Sequence, residues 1–143
     1  MKPLWKKYKS FLGVAFVMIL VAGVYGYKEF TRGFPNLHFV KPAFKVQASD
    51  LISQFENDEH KATAQYSDKA ISVRGVIGTM QVTDTSATVF MKDRSSMTSV
   101  MCQFNNENKN EVIKFKKNDS VTIKGVCSGF LMDVVMVRCV VDK

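Results

Sequence analysis

Hydrophobic and polar positions divide the chain into two unlike parts. From Ser10 to Tyr27 no charged residue occurs, and the run FLGVAFVMILVAGV inside it is apolar on every side of a helix. These eighteen residues, at 1.5 Å rise each, give roughly 27 Å of helix, close to the ~30 Å hydrocarbon thickness of a bilayer. Beyond residue 47 the pattern changes. Leu51, Phe55, Ala62 and Tyr66 recur on one helical face, with Glu56, Asp58, Glu59 and Lys61 on the other, so one amphipathic helix is expected from Asp50 to Tyr66. Five strand patterns follow: AISVRGVIGTMQV (70–82), SATVFMKD (86–93), TSVMCQF (98–104), SVTIKGVCSGF (120–130) and DVVMVRCVV (133–141). Gly75 and Gly78 interrupt the first strand, as at a bulge or bend where a sheet curls. The polar stretch 105–117, with Val112, Ile113 and Phe115, reads as a short helix or turn.

The spacing predicts an all-β class with small α content. It fits a five-stranded oligonucleotide/oligosaccharide-binding (OB) barrel preceded by one amphipathic helix, plus one N-terminal transmembrane helix. Another small antiparallel barrel or sandwich is the alternative. Four segments are expected: a basic cytoplasmic N-terminus (1–9), a transmembrane signal anchor (10–27), a stem (28–46) and the barrel domain (47–143). Gly33-Phe34-Pro35-Asn36 and Pro42 keep the stem out of helix, while Phe30, Phe34, Phe39 and Phe44 favour its docking on the domain.

Charge sharpens this organisation. The net charge is +7 and the pI about 9.4, which invites a nucleic-acid reading. Residues 1–46 carry eight Lys and Arg and one Glu, whereas residues 47–143 carry twelve basic and twelve acidic groups. The excess is therefore a topology signal. Lys2, Lys6, Lys7 and Lys9 precede the apolar run, and the positive-inside rule puts that end in the cytoplasm and the domain outside. A cleaved signal peptide is the alternative, but its apolar core is normally ~7–15 residues with an A-x-A-like site, and Val24-x-Gly26 fits that poorly.

Residues 47–141 resemble the tRNA_anti-like family of OB-fold domains. The likeness rests on Leu51 in the opening helix, Asn57-Asp58-Glu59, Ala62 and Tyr66-Ser67-Asp68-Lys69. It continues through Ile71-x-Val73-x-Gly75-x-Ile77, Val100-x-Cys102-x-Phe104, Val121-x-Ile123-Lys124-Gly125-x-Cys127-Ser128-Gly129 and Asp133-Val134-Val135-Met136 to Cys139. Ser67 stands where the family usually has glycine. The resemblance implies an OB barrel, which in bacteria often follows a membrane or secretion signal. It implies no particular reaction.

An OB barrel places its fifth strand between the third and fourth, so Cys139 can neighbour either Cys127 or Cys102. A disulfide from Cys139 to one of them is expected in an oxidising compartment, with three buried thiols as the alternative. No C-x-x-C spacing suits zinc, and no cofactor is expected. Hydrolase, Walker and dinucleotide motifs are absent, and no catalytic residue is assigned. Glu56, Glu59 and His60 would share a helix face, yet read as a solvated surface. The ligand-binding candidates are Phe90, Lys92, Arg94 and Phe104, on the second and third strands where OB folds bind. One stacking ring and two charges in a neutral domain argue against nucleic acid, since phosphate-backbone affinity rests on several cations. The expected function is a membrane-anchored, extracytoplasmic module binding a protein, peptide or saccharide. The alternatives are a single-strand nucleic-acid binder and a structural envelope protein.

Overall fold

The computed structural model describes residues 5–30, 36–93 and 95–143, with the side chains of 5–12 and 28–30 outside the described set. Two compact units divide between Phe34 and Pro35. The first holds one helix, α1 (Trp5–Phe30). Its described side chains Val14, Phe16, Val17, Met18, Ile19 and Val21 are all more than half exposed. Among the described residues no helix is long and apolar enough to cross a membrane. Residues 10–12 of the expected span, and the lysines before it, have side chains outside that set.

The second unit is a closed barrel with helices packed on it. In chain order it contains β1 (Phe44–Gln47), α2 (Ala48–Asn57), α3 (Glu59–Tyr66), β2 (Ala70–Val82), β3 (Ser86–Lys92), β4 (Ser99–Asn105), α4 (Lys109–Val112), β5 (Ser120–Phe130) and β6 (Val134–Val141). The sheet order is β1-β2-β3-β4-β6-β5, and β5 returns to pair with β2. β6 lies parallel to β4 and antiparallel to β5, the strand exchange that defines an OB barrel. β2 makes closure possible. Its first half, Ala70–Val76, pairs with β5, and from Ile77 onward it pairs with β3, with a register shift between Ile77 and Thr79. Gly78 sits in that shift, as the sequence predicts. Gly75 serves a different need: a Cβ there would lie 2.8 Å from the Ala48 Cβ and 3.0 Å from the Met91 sulfur, so the missing side chain admits the start of α2.

Inward positions alternate most regularly along β3 and β4. Ile71, Val73, Val89, Met91, Val100, Phe104, Ile123 and Met136 are essentially sealed from solvent. α2 closes this core with Leu51, Ile52 and Phe55, each contributing about 1.5–3 kcal/mol by burial, which outweighs the weak propensity of a ten-residue helix. The single helix expected from Asp50 to Tyr66 is instead two. Asp58 ends α2, and its side chain accepts a 3.0 Å hydrogen bond from the Lys61 N–H to cap α3. Tyr66 then donates to the Gln54 side chain at 2.8 Å and tilts against Phe55, tying the two helices together.

The described part of the segment expected as stem begins at Asn36 and belongs to the barrel unit. Leu37 is buried, the Ala43 N–H donates to the Ala70 carbonyl, and Phe44–Gln47 adds a strand parallel to β2. His38 Nε2 pairs with Glu111 at 3.0 Å, and the His38 carbonyl accepts from the buried Lys124 ammonium at 3.3 Å.

Candidate ligand face and cysteine cluster

The barrel's outer face over β3 and β4 is set by strand parity. Ala87, Val89 and Met91 point inward, which turns Thr88, Phe90 and Lys92 outward. On β4 the inward set is Val100, Cys102 and Phe104, and the outward set is Met101, Gln103 and Asn105. Register joins the two: Phe90 lies between Thr79 and Met101, and Thr88 between Gln81 and Gln103. Val135 of β6 extends the first row beyond Met101. The result is a strip with one aromatic ring, flanking apolar side chains, two amides, hydroxyls and the Lys92 ammonium.

Both ends of the strip are fixed by local hydrogen bonds. At one end, the Thr83 hydroxyl bonds Ser86 and holds the β2–β3 turn. At the other, Asp133 accepts from both the Ser99 N–H and the Ser99 hydroxyl at 2.7 Å. That tie leaves Leu131 and Met132 projecting from the β5–β6 hairpin, each more than four-fifths exposed. Ser96, in the neighbouring loop, donates to Glu56 at 2.6 Å. This bond, with one from Thr98, holds the Glu56 carboxyl below its ordinary pKa. Glu56 thus serves as a strut from α2 to the β3–β4 loop, and the helix break removes the shared face expected for Glu56, Glu59 and His60. Among the described residues no group of three or more His, Cys, Asp or Glu converges as metal ligands would.

The four predicted ligand residues fare differently. Phe90 and Lys92 lie together on the strip. Phe104 does not: it is 1% exposed and belongs to the core, because it shares the parity of Cys102. Arg94 lies outside the described residues. The strip also includes Met101, Gln103 and Val135, which sequence reasoning passed over. The signal was present in the alternation about Cys102, which sends Met101 and Gln103 to the side opposite the core.

The expected disulfide is absent: Cys102, Cys127 and Cys139 are all free and buried. The bridge expected from Cys139 to Cys127 or Cys102 is not formed, and Met136 pairs with both of those residues across the sheet. Cys139 reaches the core through a bulge. Between its pairs with Val126 and Lys124, β6 carries one residue more than β5, and Arg138 adopts a left-handed φ of 54°. The thiol then packs opposite Gly125 and makes a side-chain hydrogen bond with Cys102. Burial pushes its ionisation well up, and the Cys102 thiol adds to this. Burial likewise raises Cys127.

A family profile described as tRNA_anti-like matches residues 4–141. The chain belongs to the tRNA_anti-like family. For this tRNA_anti-like protein the match takes in the N-terminal helix as well as the barrel, more than the residue-level likeness over 47–141 covers. Among solved structures, the chain is similar to a protein of Klebsiella pneumoniae described as a "putative nucleic acid-binding lipoprotein". Identity is 19%, over 71% of this chain and 93% of that one, with a TM-score of 0.60. It is also similar to the S. pombe Stn1-ten1 complex at 17% identity, over 48% of this chain and 52% of that one, with a TM-score of 0.41. The first likeness is one of fold; the second is too slight to argue from. A comparison with curated protein sequences finds no match.

Proposed function

We propose that this tRNA_anti-like protein is a membrane-anchored, extracytoplasmic OB module. It binds a protein, peptide or saccharide on the β3–β4 strip and performs no catalysis. The observation that carries the reading is the strip's composition: Phe90, Met101 and Val135 in one row, Thr88 and the two glutamines in the next, and Lys92 the sole cation among its described residues. A surface of this kind favours ring stacking and directional hydrogen bonding over charge neutralisation. Anchoring is supported by α1, whose exposed described side chains are apolar on all sides, a pattern that needs lipid or protein around it. The four lysines before the apolar run support a cytoplasmic N-terminus.

The test is photocrosslinking in native membranes. A photoreactive residue replaces Gln103 on the strip or, as a control, Lys61 on the exposed side of α3. Adducts specific to position 103 and diminished by Phe90→Ala support the reading, and equal labelling from both positions removes it.

A second reading, single-strand nucleic-acid binding, is favoured by the shared fold with the Klebsiella protein and by Phe90 as a stacking platform. Anisotropy of labelled single-stranded DNA and RNA with the full chain in detergent, at low salt, distinguishes the two. Low salt maximises phosphate attraction, so no binding there removes the second reading.

A further inference from the structure

A second groove lies away from the strip, on the outer side of β1, β2 and β5, with a volume of about 480 Å³. Its floor is two rows of cross-strand neighbours. Lys45, Ser72 and Lys124 form one row, and Gln47, Arg74 and Thr122 the other. Lys124 is 5% exposed, beneath the floor, and its charge is met by Asp142 at 3.4 Å. Asp142 in turn accepts from the Ser72 hydroxyl at 2.8 Å. The carboxylate nearest the floor is therefore already occupied. Arg74 and Lys45 are exposed, and among the described residues neither has an ion-pair partner. Lys143 adds a third ammonium to the lining, and Asp50 and Asp142 are its carboxylates. The start of α2 also borders the groove, with Asp50 in its first turn against the helix's partial positive end.

We propose that this groove binds a phosphate group, carried either by a soluble phosphate ester or by a lipid headgroup. The Arg74 guanidinium presents a planar fork that matches two phosphate oxygens. The Lys45 ammonium flanks it from the next strand, and the Thr122 hydroxyl, directly across from Arg74, donates a third bond. This site is separate from the β3–β4 strip and stands or falls without it.

The test uses the full chain in phosphatidylcholine nanodiscs, with the backbone N–H signal of Gln47, directly across from Arg74, followed by NMR while inorganic phosphate is titrated at constant ionic strength. Saturable movement of that signal is expected, weakened about tenfold by Arg74→Gln and to a lesser degree by Thr122→Ala, in variants whose remaining spectra are unchanged. Lys116→Gln removes one exposed cation elsewhere and is expected to leave the titration unchanged. An equal loss in Lys116→Gln, an Arg74→Gln titration like the wild type, or no saturable movement each overturns the proposal. Nanodiscs containing phosphatidic acid identify the source. A shift of the Gln47 signal there without added phosphate supports a headgroup ligand. A response to inorganic phosphate alone supports a soluble one.

Discussion

Gly125 and Cys139 are a matched pair whose logic lies in a few tenths of an ångström. A Cβ on residue 125 would meet the Cys139 sulfur at 2.7 Å and both the Met136 methyl and the Val137 carbonyl at 3.2 Å. Gly125→Ala is accordingly expected to cost about 1–3 kcal/mol in urea unfolding, with an unchanged m value. Adding Cys139→Ala removes the sulfur and should return part of that loss, a coupling that a double-mutant cycle reads directly. The same burial makes a prediction about pH. The neutral thiol is favoured in the fold, so the folded ionisation of Cys139 lies above the ordinary 9.0. Its contribution is full below that value and declines as pH rises beyond it. Stability measured from neutral to about pH 10.5 should fall less steeply in Cys139→Ala than in the wild type. Native protein at pH near 8 should resist alkylation at all three cysteines and react at each once unfolded. Strict alternation from Val134 and Met136 would send Cys139 outward. The left-handed Arg138 reverses it, and nothing in a long cationic side chain announces that backbone conformation. Phe104 is the opposite case: counting by two from Cys102 places it in the core, and its aromatic character alone suggested a ligand role.

Whole elements were far easier to read than individual side chains. The five barrel strands run within a residue or so of the predicted limits, because turn residues bound each run and period-two burial is obligatory in a small closed sheet. Two features escaped. β1 is only Phe44–Gln47, too short for alternation to register, and it exists because β2 offers a free edge alongside. The helix break at Asp58 escaped because apolar spacing continues across it, while Asp58 is at once a terminator and a cap. Two ties between elements are testable. Asp133→Ala leaves the Ser99 N–H and the buried Ser99 hydroxyl without their acceptor, at an expected cost of about 1–3 kcal/mol. Amide hydrogen exchange should quicken through the β5–β6 hairpin and the first residues of β4 before it does elsewhere. Ser96→Ala should raise the Glu56 ionisation back toward 4.5, visible in its side-chain carbon shift. The direction follows from the bond: it favours the carboxylate, so the tie between α2 and the β3–β4 loop is present above that pH and is lost as acid protonates Glu56.

At the scale of the molecule, charge and hydropathy separate where the protein sits from what it holds. The excess of +7 is carried before residue 47 and the barrel-bearing part is neutral, so the basic character says little about the ligand and much about orientation. Four lysines precede the apolar run, and Lys28, Glu29 and Arg32 follow it, a difference of three positive charges across the span. If the proposed anchoring holds, a reporter active only outside the cytoplasm and fused after Lys143 should be active, and mass analysis of the mature chain should find residues 1–27 retained. Moving the asymmetry tests the cause rather than the outcome. Replacing Lys2, Lys6, Lys7 and Lys9 with glutamine leaves the apolar run and the barrel untouched but makes the flank after the span the more positive one. A substantial fraction of chains should then present the reporter to the cytoplasm, because K/R bias near a span sets its orientation. Unchanged reporter activity would mean that the lysines do not direct topology. Cleavage near Gly26 with export intact would mean that the apolar run is a signal peptide and that the barrel is released from the membrane that made it.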